Sequence, residues 1–270
     1  MASSSKTSGA YFKTLHVPGN PVILANIWDV PSLNAVVSLN TPTSQPIRVL
    51  ATASYAIAET LGKRDAELTR EENLARSVEL GPHAQRAGLP YTVDLQDGYG
   101  DKLEESVRAV VEGGAAGANV EDAIPAVNWT SLIPIDVQVE RLKRVLAAAK
   151  EAGEPDFVLN ARSDIFMMKE PNFKGDLLEE AIKRGKAYLA AGATTVFYWG
   201  AGLTVDKVKT LVKELDGKVS VMLSGWEGKL TPRQIGSELG VARVSVGPKL
   251  WLAGGKDAKK IKAAAAELFV

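Results

Sequence analysis

VDLQDGYGD, Val93–Asp101, closes an apolar run on an aspartate and then breaks into a glycine-containing turn. Upstream, YTVDL reads as a strand ending at Asp94, and downstream Lys102 to Glu112 has helical spacing. The same unit recurs in both directions. Strands are expected at Val22–Asn26, at IRVLATAS ending at Ser54, at GANVE ending at Glu121, at DFVLNAR ending at Arg162, and at TTVFYW, VSVML and ARVSVG. Helices are expected between them: WDVPSLNAVVSL, Leu68 to Ala87, Asp136 to Glu151, Asp176 to Ala191, Val205 to Leu215 and Pro232 to Leu239, with Asp257 to Phe269 closing the chain. Thr69 with Glu72 three residues on forms a capping-box pattern, and Asp176 is a second cap. Strands alternating with helices imply parallel pairing through right-handed crossovers. Eight units favour an α/β fold of the (β/α)8 TIM-barrel type. The turn after the first strand, ANIWDVPS, lacks the glycines that a doubly wound nucleotide-binding sheet places there.

The bulk numbers agree. A chain of 270 residues is near the size of one barrel, about 250 residues. The stretch 11–270 is read as one domain and MASSSKTSGA, residues 1–10, as a floppy tail. This Ser-rich start lacks the apolar core of a secretory signal; an organelle address is the alternative to a cytoplasmic protein. Thirty-two basic and 32 acidic residues balance, with no basic run, so nucleic acid is not an expected partner. No apolar stretch reaches the roughly 18 residues of a membrane helix. The absence of cysteine excludes disulfides, zinc-thiolate sites and thiol nucleophiles.

Chemistry should gather where the strands end. Asp94, Asp97, Asp101, Glu121 and Asp122 surround strands three and four, and Asp65, in LGKRDAE, can reach the same mouth. Hard carboxylates without histidine or cysteine suit Mg2+ or Mn2+. For Asp101, just before a helix, a cap or solvated charge is the simpler reading. For Asp94 and Glu121 function is, because a carboxylate at a strand end must be paired or bind an ion. Arg162 offers a planar fork to a carboxylate or phosphate, or a salt bridge to Asp164 or Glu121. Ser54 and the backbone N–H groups of Ala53 to Tyr55 form a candidate anion nest. The glycine-containing loops LSGWEGKL and SVGPKL are candidate phosphate sites. His16 and His83 are read as structural, and no lysine lies in a strand core to form a Schiff base.

Together FKTLHVPGNPVILANIWDV, ATASYAIAETLGKRD, LPYTVDLQDGYGD, GAAGANVED, LNARSD and AYLAAGATTVFYWGAG resemble the isocitrate lyase/phosphoenolpyruvate mutase superfamily, from about Phe12 to Gly247. The resemblance implies a Mg2+-binding barrel acting on a small 2-oxo or 2-hydroxy acid. Chemistry falls at the bond beside the carboxylate, through an enolate-like intermediate. It implies metal ligation at Asp94, with Asp65, Gln96 and Glu121 completing the set, the first and last of these three through water. It places Ser54, Tyr55, Trp28 and Arg162 at the substrate. Candidates for the chemistry are Arg162, Tyr99, Glu121 and Asn128. A small-carboxylate substrate and a homodimer or homotetramer are the implied partners.

Two departures bear on the reaction. Gln96 stands where the D-x-[DE]-x-G-[YF]-G signature has an acid. The loop after strand four reads DAIPAVNWTSL, without the K-K-C-G-H of the lyases or the K-T-N of the mutases. Allowing a one-residue gap, Asn128 replaces the mutase asparagine and Ala126 its lysine. Isocitrate-type cleavage with a cysteine acid is therefore not expected. The expected activity is C–C bond cleavage by a lyase or hydrolase. Phosphonate mutase or hydrolase chemistry and a catalytically silent ligand-binding barrel are the alternatives. The chain ends soon after strand eight, so exchange of the last helix between subunits is in doubt.

Overall fold

The computed structural model describes residues 5–124, 129–223 and 230–270. Eight parallel strands close into a barrel in sequential order: β1 Val22–Ile27, β2 Leu50–Thr52, β3 Tyr91–Asp94, β4 Gly117–Glu121, β5 Val158–Ser163, β6 Thr195–Tyr198, β7 Val219–Met222 and β8 Arg243–Ser245. Closure is made by β1 against β8, with Val22 opposite Arg243 and Leu24 opposite Ser245. Each strand is mostly buried on both faces, which is why the strands read as short apolar runs rather than alternating ones.

The helices among the described residues are α1 Gly9–Thr14, α2 Val30–Val37, α3 Ser54–Thr60, α4 Arg70–Arg86, α5 Leu103–Glu112, α6 Ile135–Glu151, α7 Leu177–Ala190, α8 Val205–Glu214, α9 Pro232–Leu239, α10 Lys249–Gly254 and α11 Ala258–Phe269. The expected caps are formed. Thr69 Oγ1 accepts from Glu72 N at 3.3 Å while Glu72 Oε2 accepts from Thr69 N at 3.0 Å. Asp176 Oδ1 accepts from Leu178 N and Glu179 N. None of these helices is long and apolar enough to cross a membrane.

Three segments differ from expectation. α1 begins inside the stretch read as a tail: Ser8 caps it, Gly9 N donates to Glu154 Oε2, and Phe12 is fully buried. Phe12 and Leu15 pack with Val22, Leu24, Val49, Ala51 and Val158 and plug the amino-terminal end of the barrel. Gly117 makes room for the plug, because a Cβ there would stand 3.2 Å from the Phe12 ring and 2.4 Å from Val158 O. Strand two stops at Thr52, and Ser54 opens α3 instead of ending the strand; Ala53 supplies no side-chain cap, so no start signal was legible. Finally, α10 precedes α11, and α11, which buries Ile261, Ala265 and Phe269, packs against α10 and against α2 of its own chain.

Candidate active site

A cavity of about 620 Å3 opens at the carboxyl end of the barrel. This is the size of a small-molecule site. Ser54, Tyr55, Asp65, Asp94 and Arg162 all line it, so five sequence-selected residues meet at one surface. Asp94 ends β3 with Oδ2 accepting from Ser54 Oγ at 3.1 Å and Ser54 N at 3.4 Å. The backbone nest expected at Ala53 to Tyr55 is thus partly spent on Asp94. Asp65 opens a 3-10 turn, Asp65–Glu67, beside it. Burial, followed by the charge of Asp94, pushes the Asp65 carboxyl up to about 6.

Arg162 ends β5 between two acids. Its Nε and Nη2 donate to Asp164 Oδ1 at 3.0 and 2.8 Å, and Nη1 pairs with Glu121 Oε2 at 2.8 Å. Its guanidinium lies 4.7 Å from the Trp199 ring centroid, and Trp199 Nε1 also donates to Asp164. Burial pulls the guanidinium pKa down, but Asp164 and Glu121 outweigh it and keep Arg162 charged. A guanidinium has five N–H donors. Three are engaged here, which leaves two for a ligand. Glu121 is 1% exposed, and its Oε1 accepts from Trp129 Nε1 at 2.8 Å. Burial raises the Glu121 carboxyl well above the usual range, against the pull of Arg162.

Several candidates are placed elsewhere. Gln96 is buried in a left-handed backbone conformation, and its Nε2 donates to Asp65 O and Oδ1 at 2.9 and 3.0 Å; it holds Asp65 and does not line the cavity. Tyr99 also has a positive φ, which turns its hydroxyl behind β3 to accept from Asn73 Nδ2 at 2.6 Å. Burial pushes that phenol far above its ordinary pKa, so Tyr99 is not positioned as a proton donor at the cavity. Trp28 is 1% exposed and packs edge-on against Trp251 at 5.2 Å, a core residue and not a cavity wall. Asp122 faces the opposite side of β4 from Glu121. Its carboxylate accepts from Ser163 Oγ, Asp164 N, Arg184 Nη1 and Tyr188 OH. Asp101 is exposed, and Asp97 Oδ1 accepts from Tyr99 N within the turn. Asn128 and the core of LSGWEGKL lie outside the described residues. In the other candidate phosphate loop, Gly247 N already donates to Asn26 Oδ1 at 2.9 Å.

Sequence reading missed Asn26, Asn119, Trp129 and Trp199, which also line the cavity. Asn26 interrupts the apolar run of β1, and Asn119 stands between Ala118 and Val120 in β4; a polar residue inside a buried strand was the available signal. The tryptophans sit in loops, where no periodicity applies.

Among the described residues no three His, Asp or Glu side chains converge as a closed metal cage. The donor set nevertheless fits a hydrated hard cation. Asp65, Asp94, Glu121 and Asp164 face a single cavity-lining guanidinium, and the repulsion between Asp65 and Asp94 is of the kind a cation relieves. Mg2+ commonly binds through one or two carboxylates and keeps several waters.

Comparison with known proteins places the chain. The phosphoenolpyruvate phosphomutase family profile matches residues 12–268. Rv1998c of Mycobacterium tuberculosis (strain ATCC 25618 / H37Rv) is 29% identical over 250 residues, covering 90% of this chain and 84% of that protein. Oxaloacetate decarboxylase of Rhodopseudomonas palustris (strain BisB18) is 30% identical over 182 residues, 65% of this chain and 59% of the relative. A crystal structure from Burkholderia cenocepacia J2315, provisionally named a phosphonomutase, superposes with a TM-score of 0.77 at 31% identity, covering 97% of this chain and 99% of that one. The chain belongs to the phosphoenolpyruvate phosphomutase family, among the lyases and mutases of the isocitrate lyase/phosphoenolpyruvate mutase superfamily.

Proposed function

We propose that this enzyme cleaves a C–C bond of a small 2-oxo or 2-hydroxy carboxylate, with Mg2+ or Mn2+ bound at Asp94. The observation that carries the reading is the junction of the Asp65–Asp94 carboxylate pair and the forked Arg162 on one cavity wall. Asp94 would hold the cation directly, with Asp65 acting through water and Gln96 fixing the orientation of Asp65. Glu121 keeps Arg162 in place and completes the negative field. The bound cation would supply Lewis acidity to the oxygens of the acid.

The remaining work falls to the chain. Arg162 takes the substrate carboxylate with its two uncommitted N–H donors, a geometry suited to a planar acid. As the C–C bond breaks, its electron pair stays with the 2-oxo fragment as an enolate, and the other carbon leaves as a carbonyl compound, CO2 where that carbon is a carboxylate. The Arg162 guanidinium, and a cation if held at Asp94, would stabilise the developing charge. Trp129, Phe197, Trp199, Met167 and Met168 make much of the wall apolar, which limits water near the enolate. The similarity to the structure provisionally named a phosphonomutase supports phosphonate chemistry at the same site as the second reading.

Calorimetric titration with Mg2+ and then oxalate, a planar mimic of pyruvate enolate, tests the site. Oxalate is expected to bind only with the metal, and binding should be lost in Asp94→Ala and Arg162→Ala. Oxalate binding that is absent, or unchanged without metal, refutes the proposal. A following screen of oxaloacetate, substituted malates and phosphonopyruvate separates the two reactions.

A further inference from the structure

The floor of the cavity holds a polar relay that the reading above leaves unused. Asn119 lies on β4 two residues before Glu121, and its side chain lines the cavity. Asn119 Oδ1 accepts from Arg243 Nη2 at 3.0 Å and from Asn160 Nδ2 at 2.8 Å, and Asn160 Oδ1 accepts from Thr195 Oγ1 at 2.7 Å. A guanidinium can only donate, so the atom of Asn119 facing Arg243 has to be its oxygen. With that oxygen fixed, Asn160 must present its nitrogen to Asn119 and its oxygen to Thr195. One arginine therefore sets the sense of two amides. Asn119 Nδ2 is left pointing away from the relay, with no protein partner among the described residues, on a side chain that borders the cavity.

Arg243 is an unusual residue to find there. It is 1% exposed, no carboxylate lies within 4.0 Å of it among the described residues, and its Nε and Nη1 have no hydrogen-bond partner. The Phe12 ring lies below it at 5.7 Å, and the carboxylate whose charge reaches it is Asp94, in the cavity. A buried charge without a counter-ion is costly, and an apolar side chain of similar volume would pack a barrel floor more cheaply. A cation in this position is of use to a site that receives anions.

We infer that Asn119 is a ligand-contacting residue whose Nδ2 donates to an anionic oxygen of the bound carboxylate, with Arg243 as the positioning residue that fixes the direction of the amide. The inference rests on the cavity being a carboxylate site. It adds a hydrogen-bond donor from the barrel floor to the guanidinium on the wall, so that a ligand is selected for a second acceptor oxygen as well as for its carboxylate.

The test is Mg2+-dependent oxalate binding by calorimetry in wild type, Asn119→Ala, Asn119→Asp, Arg243→Met and the Asn119→Ala/Arg243→Met double variant, with Mg2+ alone and thermal unfolding measured for each. Losing one hydrogen bond to a charged acceptor should weaken oxalate about tenfold or more in Asn119→Ala. Asn119→Asp still accepts from Arg243 and Asn160, so it should stay folded, yet it opposes an acceptor to oxalate and should lose more than Asn119→Ala. Arg243→Met frees the amide to flip and should weaken oxalate, and the double variant should bind no worse than Asn119→Ala alone. A merely structural arginine would instead give additive losses. Oxalate affinity within threefold of wild type in folded Asn119→Ala or Asn119→Asp overturns the inference and leaves the proposed function standing. Failure of wild type to bind oxalate with Mg2+ overturns both. Should Asn119→Ala not fold, Asn119→Asp decides.

Discussion

Asp122 is the acid on which the wall behind the site depends, and replacing it tests that dependence. Its carboxylate is fully buried and accepts four hydrogen bonds: Tyr188 OH at 2.7 Å, Ser163 Oγ and Asp164 N at 2.9 Å, and Arg184 Nη1 at 3.0 Å. In Asp122→Ala, Arg184 keeps Glu180 and Ile133 O but loses this buried counter-charge. Removing one partner of a buried pair costs about 3–5 kcal/mol, and each stranded hydroxyl adds about 1 kcal/mol. The expected loss is about 5 kcal/mol, a large share of the roughly 5–15 kcal/mol that holds a domain together. Asp122→Asn should lose about 2–3 kcal/mol. An amide oxygen can serve the donors at only one of the two carboxylate positions, and its nitrogen then meets another donor. The assay is equilibrium urea unfolding of wild type, both single variants and Asp122→Ala/Arg184→Met. With a slope of about 3 kcal/mol per molar, the Asp122→Ala midpoint should fall by more than about 1 M. The double variant should be less destabilised than the sum of its parts, because it removes the stranded cation with its partner. An Asp122→Asn protein within about 1 kcal/mol of wild type, or a strictly additive double variant, refutes the reasoning. Asp164 N hangs on Asp122 and Asp164 holds Arg162, so surviving Asp122→Asn protein should also bind oxalate more weakly.

Two further perturbations probe the barrel ends and its outer ring. The His16 Nε2 is enclosed, and burial, then the charge of Arg243, lowers its pKa to about 3 from 6.5. The unfolded chain therefore binds a proton that the native state refuses. Stability from this group is complete above pH 6.5 and falls by about 1.4 kcal/mol per unit below it. By pH 5, His16→Gln should be about 2 kcal/mol less acid-sensitive than wild type in urea titrations, and parallel pH curves for the two proteins would sink the idea. Gly81 lets α4 lie against the end of α5, since a Cβ there would stand 1.7 Å from Gly113 O. Gly81→Ala must push two backbones apart and should lower stability by about 2–3 kcal/mol, read as a reduced melting temperature; an unchanged or raised melting temperature would show that the two helices are not in fixed contact.

The sequence by itself determined the architecture and the address of the chemistry. Eight apolar runs alternating with capped helices admit few folds other than a parallel barrel. An acid or arginine where a run stops lies at the mouth whatever the details of packing, so Asp94 and Arg162 could be chosen from local pattern, and Asp65 as a loop acid within reach of the same mouth. Direction was harder. Glu121 and Asp122 are neighbours, yet β4 turns one toward Arg162 and the other toward Arg184, because side chains alternate across a strand. Gln96 and Tyr99, one expected at the metal and the other as a candidate for the chemistry, both take a positive φ and spend their side chains on Asp65 and Asn73, and no residue-type preference announces a left-handed glutamine or tyrosine. Only the tertiary structure could join Asn119 to Arg243, 124 positions apart, or bring Trp129 and Trp199 to the two acids that hold Arg162. The first contact follows from closure of the barrel, which sets β4 and β8 face to face across its axis, and the other two from loops that return over the strand ends, whereas sequence periodicity reports only on neighbours within one element.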